Sequence, residues 1–474
     1  MEANTKRLRL GSLSLKEAYG QAMGVTAPLG SVVSTTTAAV AFVGEAVPLA
    51  TAVAMLVSVV WLFLLTRYTS RVASAGGFYS FAGFAYRKKW LSFFEAMTEI
   101  GAFVVLNAAD VYALYLMLEV LSDLFGLRIP LYILIVFASS AIWLPTLISL
   151  LDVRTVMSKV VFYSASAEVA FLIAFFAYTV VTRGFSLAPM DPRAFSRGGF
   201  SSALLLSVTS IGGAGTSTYL AEETRRPTRN VTLGIWLAAA LGGAAMFLGS
   251  YAMVMDWGGS LSSLANSPQP LLQEVGAIPL IGGLAMLLTT VLAINSLLIS
   301  NVGTTLSAAR TMFNLGREEA LPSFLTYLNR ELEPAAATLL VGLAGVAITV
   351  LCLPLGPERA FSEVSLVASF FWVLGRTVDA LGLPWFYRRF GGVPSWVWLL
   401  ASAAFGLNAL ALISVLYPFE PFAASFIGIY LMASFIFYFA YGRKGKPGSL
   451  FVTERGELVE HARGLFNRCW AARR

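Results

Sequence analysis

Apolar residues come in long runs along this chain, and charged residues are mostly confined to the short gaps between them. The runs fall at about 20–43, 48–66, 91–122, 131–151, 157–181, 201–220, 231–255, 277–312, 335–353, 361–386, 395–416 and 422–441. A helix that crosses a membrane takes ~20 residues, whereas a strand of a membrane barrel shows ~10 residues of alternating polarity. These runs have helical length. They predict an all-α polytopic membrane protein with 12 transmembrane helices.

Two runs depart from the pattern. The first, GVTAPLGSVVSTTTAAVAF at 24–42, carries Pro28 and Gly30 near its middle and a dense set of hydroxyls from Thr26 to Thr37. The sixth, SVTSIGGAGTSTYLAEE at 207–223, clusters Gly212, Gly213 and Gly215. Proline removes a backbone donor and glycine weakens a helix. Backbone that unwinds at membrane depth is tolerated only where protein buries it or it lines a cavity. A pair of such breaks in corresponding halves points to a carrier's binding site. The breaks are five runs apart, so the expected halves are runs 1–5 and 6–10, at about 20–182 and 200–390, with two added helices at 391–442.

The chemistry of a broken helix suits a zwitterion. Free N–H groups at a half-helix N-terminus favour a carboxylate, and freed carbonyls favour an ammonium or a metal cation. The expected substrate positions are Ala27, Gly30, Ser31 and Val32 in run 1, and Thr209, Gly212, Gly213, Ala214 and Gly215 in run 6. The plain alternative is that small residues only let helices pack closely. Two clusters in corresponding places favour the site.

Composition narrows the class. Hydrophobic residues make up 57% and charged residues 12%, against ~45–50% and ~25% in soluble domains. That excludes a soluble enzyme, a disordered chain and a disulfide scaffold. Cys352 and Cys469 lie far apart, and His461 is the single histidine, so neither a metal centre nor a Ser-His-Asp triad is expected. No nucleotide-binding P-loop occurs, and no cofactor is expected. With the N-terminus placed in the cytoplasm, 27 of the 33 Lys and Arg fall on that side, 5 fall on the other, and Arg376 lies within a run. This bias predicts a plasma-membrane protein with a cytoplasmic N-terminal segment (1–19) and a basic cytoplasmic tail (443–474). It also accounts for the net charge of +7 without nucleic acid; the expected partners are the lipid bilayer and a small substrate. The tail, amphipathic at Leu458, Leu465 and Phe466, is expected to lie along the inner interface. Oligomeric state leaves no mark in the sequence.

Ionisable residues at membrane depth mark function or a paired structural site. Glu168 stands well inside run 5 and is a candidate for coupling, with Thr304 and Thr305 of run 8 as hydroxyls for a cation site. Asn107 and Asp110 share a face of run 3 and could meet a substrate ammonium. Arg376 and Asp379, three apart in run 10, read as an ion pair or a gate. Glu222 and Glu223 read as an inner ion-pair network with Arg225, Arg226 and Arg229. Glu95 and Glu99 read as a wetted vestibule or as partners of Arg87, Lys88 and Lys89.

Several segments together resemble the amino acid–polyamine–organocation (APC) family of permeases. They are LSLKEAYGQAMGVTAPLGS at 13–31, SAGGFYSF at 74–81, YLAEETRRPTRNV at 219–231, SAARTMFNLGREEALPSF at 307–324 and LPWFYRR at 383–389. The resemblance implies a LeuT-type 5+5 inverted repeat, substrate at the breaks of helices 1 and 6, and alternating access. It also implies coupling, usually to a proton and sometimes to Na⁺, or else exchange. Two features depart from the family. The stretch Ser207–Ile211 lacks the aromatic gate, and the helix-5 position where some members carry a lysine falls on Glu168. A carboxylate there can carry the proton or help bind Na⁺. The expected function is a secondary active transporter of amino acids, not an enzyme, working by proton-coupled symport. The alternatives are Na⁺ coupling, or a same-fold carrier or exchanger of a polyamine, organic cation or nucleobase. The small residues at both breaks favour neutral amino acids.

Overall fold

The computed structural model describes residues 7–74, 76–124, 126, 130–192, 197–258, 263–264, 266–267, 269–413, 420–453 and 458–460. Cys469, His461, Leu465 and Phe466 lie outside the described residues.

Run 1 is split in two. Helix α1 (Leu15–Thr26) starts at a capping box in which Ser14 and Glu17 satisfy each other's backbone, and it stops at Ala27. The chain resumes as α2 (28–43), wound as a π-helix over Val32–Thr36. Run 2 is α3 (Val47–Thr69), followed by the short α4 (Phe78–Tyr86) and the long α5 (Lys89–Leu124). Helices α6 (Leu131–Ile148) and α7 (Val153–Arg183) complete the first half. Run 6 is α8 (Arg197–Gly212), which tightens into a 3₁₀ segment, α9 (Gly213–Leu220). Then come α10 (Pro227–Asp256), the short α11 (Pro270–Gly276), α12 (Gly282–Arg317), α13 (Ala335–Cys352), α14 (Pro357–Arg388), α15 (Ser395–Ile413) and α16 (Pro421–Phe437).

Among the described residues, 9 helical runs are long and apolar enough to cross a membrane. The expected first and second runs fall together in one of them, Leu15–Thr69. The expected fourth run is a shorter apolar helix, and the sixth is interrupted by the change of helix type at Gly213. Length and apolarity alone therefore do not return the expected 12.

Burial follows lipid rather than water as the outer solvent. On α12, Leu284, Leu287, Leu288 and Val291 are exposed, while Thr289, Thr290, Ser296, Ser300 and Thr304 are buried. The apolar face thus points outward and the hydroxyl face inward. The broken run occupies the centre: every residue of α9 is buried, as are those of α1 from Glu17 onward. The long α5 and α14 form the most extensive helix pair beside it.

The end of the bundle that carries most of the basic residues is held by buried charge. Arg310 reaches Glu223 at 2.8 Å and Glu333 at 2.9 Å, with all three side chains almost fully enclosed. Arg317 grips Glu222 with two bonds of 3.0 and 2.7 Å. The partners of Glu222 and Glu223 are therefore arginines of α12. They are not the adjacent Arg225, Arg226 and Arg229, because the turn after α9 sends Arg225 to the Gly11 carbonyl instead. Burial pushes the Glu333 carboxyl up to about 7, with Arg310 pulling it back.

The C-terminal region packs on this end of the bundle. Strands β1 (Leu450–Val452) and β2 (Leu458–Glu460) pair antiparallel as a hairpin, and β1 is docked on the bundle. The anchor is Glu318, whose carboxylate accepts from the amides of Gly448, Ser449 and Leu450 at 2.9, 2.8 and 3.0 Å and from the Tyr79 hydroxyl at 3.0 Å. Val452 adds a backbone bond of 2.9 Å to Ala73. A charged acceptor that meets three successive amides makes a strong anchor.

Two outcomes test these contacts. Arg310→Met leaves two carboxylates buried without a cation, which costs ~3–5 kcal/mol; thermal unfolding of the purified chain should show a large drop in Tm. Arg9→Met, which removes partly exposed pairs with Asp152 and Glu331, should cost only ~0–1 kcal/mol. Equal shifts for the two would contradict the assignment. Glu318→Ala should release the hairpin, seen as faster protease cleavage between 446 and 460 with the helical bundle still intact.

Candidate functional site

The break in run 1 follows from Pro28. Proline disfavours the right-handed helical region for the residue before it, and Ala27 adopts φ 39° and ψ 69°. That left-handed geometry costs an alanine ~1–2 kcal/mol. It ends α1 with the Ala27 amide on the Met23 carbonyl and starts α2 in a new direction. Hydroxyls then occupy the backbone that the break disturbs. Ser31 bonds the Thr26 carbonyl at 2.8 Å, Ser34 the Gly30 carbonyl at 2.7 Å, and Thr37 the Val32 carbonyl at 3.0 Å.

The amides at the start of α2 are also taken. The Leu29 amide donates to Glu168 at 3.4 Å, and the Gly30 amide donates to Ser296 at 2.8 Å. Ser296 in turn donates to Glu168 at 2.6 Å, and Ser164 reaches the other carboxylate oxygen at 3.3 Å. Glu168 therefore holds the place at the half-helix N-terminus where free N–H groups were expected to await a substrate carboxylate.

Next to this lies a cavity with an empty volume of ≈ 360 Å³. Only ≈ 20 Å³ of it admits the centre of a water molecule, which is space for about one water. Ala27, Gly30 and Ser31 of the first break line it, together with Asp110 and Thr209. Asp110 accepts from the Ser300 hydroxyl, and its second oxygen is buried without a hydrogen-bond partner. Val25, Leu106, Leu297 and Trp372 form the apolar wall, and Ser34, Thr35, Ser210 and Ser300 add hydroxyls. Thr35 and Ser210 touch through their hydroxyls, closing the cavity between α2 and α8.

The other expected substrate positions lie elsewhere. Val32 packs toward Gly249 of α10. A Cβ on Gly212 would lie 1.4 Å from the Arg376 guanidinium, one on Gly213 2.6 Å from the Thr26 amide, and one on Gly215 3.0 Å from Leu65 and Phe78. These glycines therefore permit close packing, with Gly213 set against the α1 backbone; Ala214 is fully buried beside them without lining the cavity.

Three more expectations are corrected. Thr304 and Thr305 do not join Glu168; both bond the side chain of Asn107, Thr305 at 3.0 Å. The reason is helical spacing: Ser296, Ser300 and Thr304 form one stripe four residues apart, and it meets Glu168, Asp110 and Asn107 in turn. Asn107 thereby lies outside the cavity lining, spent on α12. Arg376 and Asp379 make no ion pair among the described residues. Arg376 lies between the rings of Trp61 and Trp372, at 5.6 and 5.4 Å, and donates to the Val208 carbonyl at 3.4 Å. Asp379, almost one turn on, faces Glu95 of α5 instead. Glu95 and Glu99 are fully enclosed rather than wetted, and Glu99 accepts from the Tyr219 hydroxyl at 2.7 Å.

Run 6 lacks an aromatic before its break, and the ring that lines the cavity is Trp372 of α14. Its signal was present as spacing, since Trp372 is one turn before the intramembrane Arg376 and the two are in contact. Ser296, the bridge to Glu168, carried no signal beyond membership of a hydroxyl stripe.

No curated protein matches this chain. Among solved structures, the chain is similar to the crystal structure of MhsT in complex with L-phenylalanine, at 15% identity and a TM-score of 0.61, covering 87% of this chain and 100% of that one. That likeness establishes a LeuT-type fold, with helices 1 and 6 broken as described. The family model described as amino acid permease matches residues 13–444, so the chain belongs to the amino acid permease family of the APC superfamily.

Proposed function

We propose that this protein carries an amino acid across the plasma membrane by alternating access, in symport with a proton held at Glu168, with both termini in the cytoplasm. The observation that carries this reading is the placement of Glu168 on the amide of Leu29 at the helix break, beside a cavity that contains a half-partnered Asp110. The ionised carboxylate is an acceptor for that amide and for Ser296. A proton on Glu168 removes its charge and weakens its hold on both. The amide is then released to a substrate carboxylate, so proton and substrate favour the same state of the break. The coupling is thermodynamic: each ligand makes the other's site available.

Space for about one water does not admit an amino acid, so loading requires α2 and α8 to part at the Thr35–Ser210 contact. The paired charges of Arg310 and Arg317 hold the basic end shut in this arrangement. Opening toward either side in turn is the alternation. The substrate ammonium is assigned to the free oxygen of Asp110. The wall of Val25, Leu106, Leu297 and Trp372 suits a neutral apolar side chain. The similar structure that holds L-phenylalanine makes aromatic amino acids the first to test.

In proteoliposomes, a pH gradient of one unit should drive up to ~10-fold accumulation of a labelled neutral amino acid by 1:1 symport. Failure to move any amino acid under a pH or Na⁺ gradient would contradict the proposal. Glu168→Gln should abolish the response to pH while substrate still binds; an unchanged pH dependence would remove Glu168 from the coupling. Asp110→Asn loses a charge-assisted bond worth ~1.5–3 kcal/mol, so the apparent KM should rise ~10–100-fold at similar protein stability.

A further inference from the structure

We propose that a basic groove beside the C-terminal hairpin binds the phosphate of an anionic phospholipid headgroup. The groove lies between the turn joining α4 to α5 and the segment leading into β1. Arg87, Lys88 and Lys89 line one side, and Lys446 and Ser449 the other. Its floor is aromatic, with the rings of Phe84 and Phe451 5.6 Å apart.

The cations on the first side are placed against the local field. Lys89 opens α5, a helix of 36 residues, and Arg87 and Lys88 immediately precede it. A helix N-terminus carries positive partial charge and favours acidic neighbours. Among the described residues, no ion pair includes Arg87, Lys88 or Lys89. Lys89 donates to the Arg443 carbonyl at 3.5 Å. Arg389 adds to the repulsion. It donates to the Ala85 carbonyl at 3.1 Å, its Nε is buried without a hydrogen-bond partner, and burial and the charge of Arg87 both push its guanidinium below its ordinary value. The carboxylate of Glu318 is close to the same segment, but three amides already occupy it. An anion of tetrahedral oxygens would relieve this crowding and match the helix N-terminus as well.

The depth of the groove indicates where the anion comes from. Trp90, next to Lys89, is 53% exposed, and Trp385, Trp396 and Trp398 are 39–43% exposed at the same end of the bundle. Tryptophans of this kind sit at the level of lipid headgroups. The Trp385 ring lies 5.7 Å from Tyr86, the last residue of α4, so this belt abuts the groove. A headgroup phosphate there would join the α4–α5 turn to the chain that carries Lys446 and Ser449, and so hold the hairpin in place.

The test uses the full chain in vesicles of phosphatidylcholine with and without phosphatidylglycerol. Bound lipid is counted by native mass spectrometry, and hairpin release by protease cleavage. Wild-type protein should retain phosphatidylglycerol and resist cleavage in its presence. Arg87→Gln, Lys88→Gln and Lys446→Gln should each weaken retention about fivefold, whereas Arg154→Gln with Lys159→Gln at the same end should not. Unchanged retention in the triple variant, or an equal loss in the Arg154/Lys159 control, would overturn the site. Inorganic phosphate at millimolar concentration protecting the hairpin in lipid-free detergent as well as phosphatidylglycerol does would overturn the lipid as its occupant.

Discussion

A backbone amide freed inside a membrane has no water to turn to, and the architecture around Ala27 answers that constraint. Pro28 ends α1 and leaves the first amides of α2 without helical partners. Two residues from other helices come in to meet them: Glu168 from α7 and Ser296 from α12. The left-handed strain at Ala27 is thus held by a carboxylate whose own charge depends on protons. One interaction joins the broken helix to two others and links the shape of the break to an ionisable group. The remaining hydroxyls of the break return to nearby carbonyls, and Glu168 is the charged partner of the break among the described residues.

Much of this was legible from residue order. Helix positions follow from apolar runs, and the two breaks from proline and clustered glycine. Glu168 and Asp110 stand out because charge at that depth is costly. Partners across helices were not legible. Arg376 and Asp379 are three apart, which suggests a pair, yet the separation of about one turn sends one side chain to α8 and two tryptophans and the other to Glu95. The run-6 glycines showed that something comes close, without showing whether it is a substrate or a neighbouring backbone. At Gly213 it is the backbone of α1. The fixed relation between helix faces, set by packing, decides such cases, and one chain read alone does not contain it.

Charge is used in two ways. At the basic end, Arg310 and Arg317 meet carboxylates directly, so the cost of burial is offset by pairing. In the interior, Arg376 makes no ion pair among the described residues and instead lies between two indole faces over a glycine. Attraction to ring quadrupoles replaces an ion pair there. The result is a cation at the bend between α8 and α9 with no ion pair among the described residues, and its Trp372 neighbour also lines the cavity.

The pairing of β1 with β2 has a bearing on how the molecule is made. Ser74 bonds the Leu450 carbonyl across 376 positions of sequence. The contact therefore joins an early loop to a segment made after all the helices described above. Until then, Glu318 and the loop after α3 have no strand to hold, and the helices around them must insert and pack with that end open. Closing it must wait for that segment, so a chain stalled before it would keep its helices and lack the clasp.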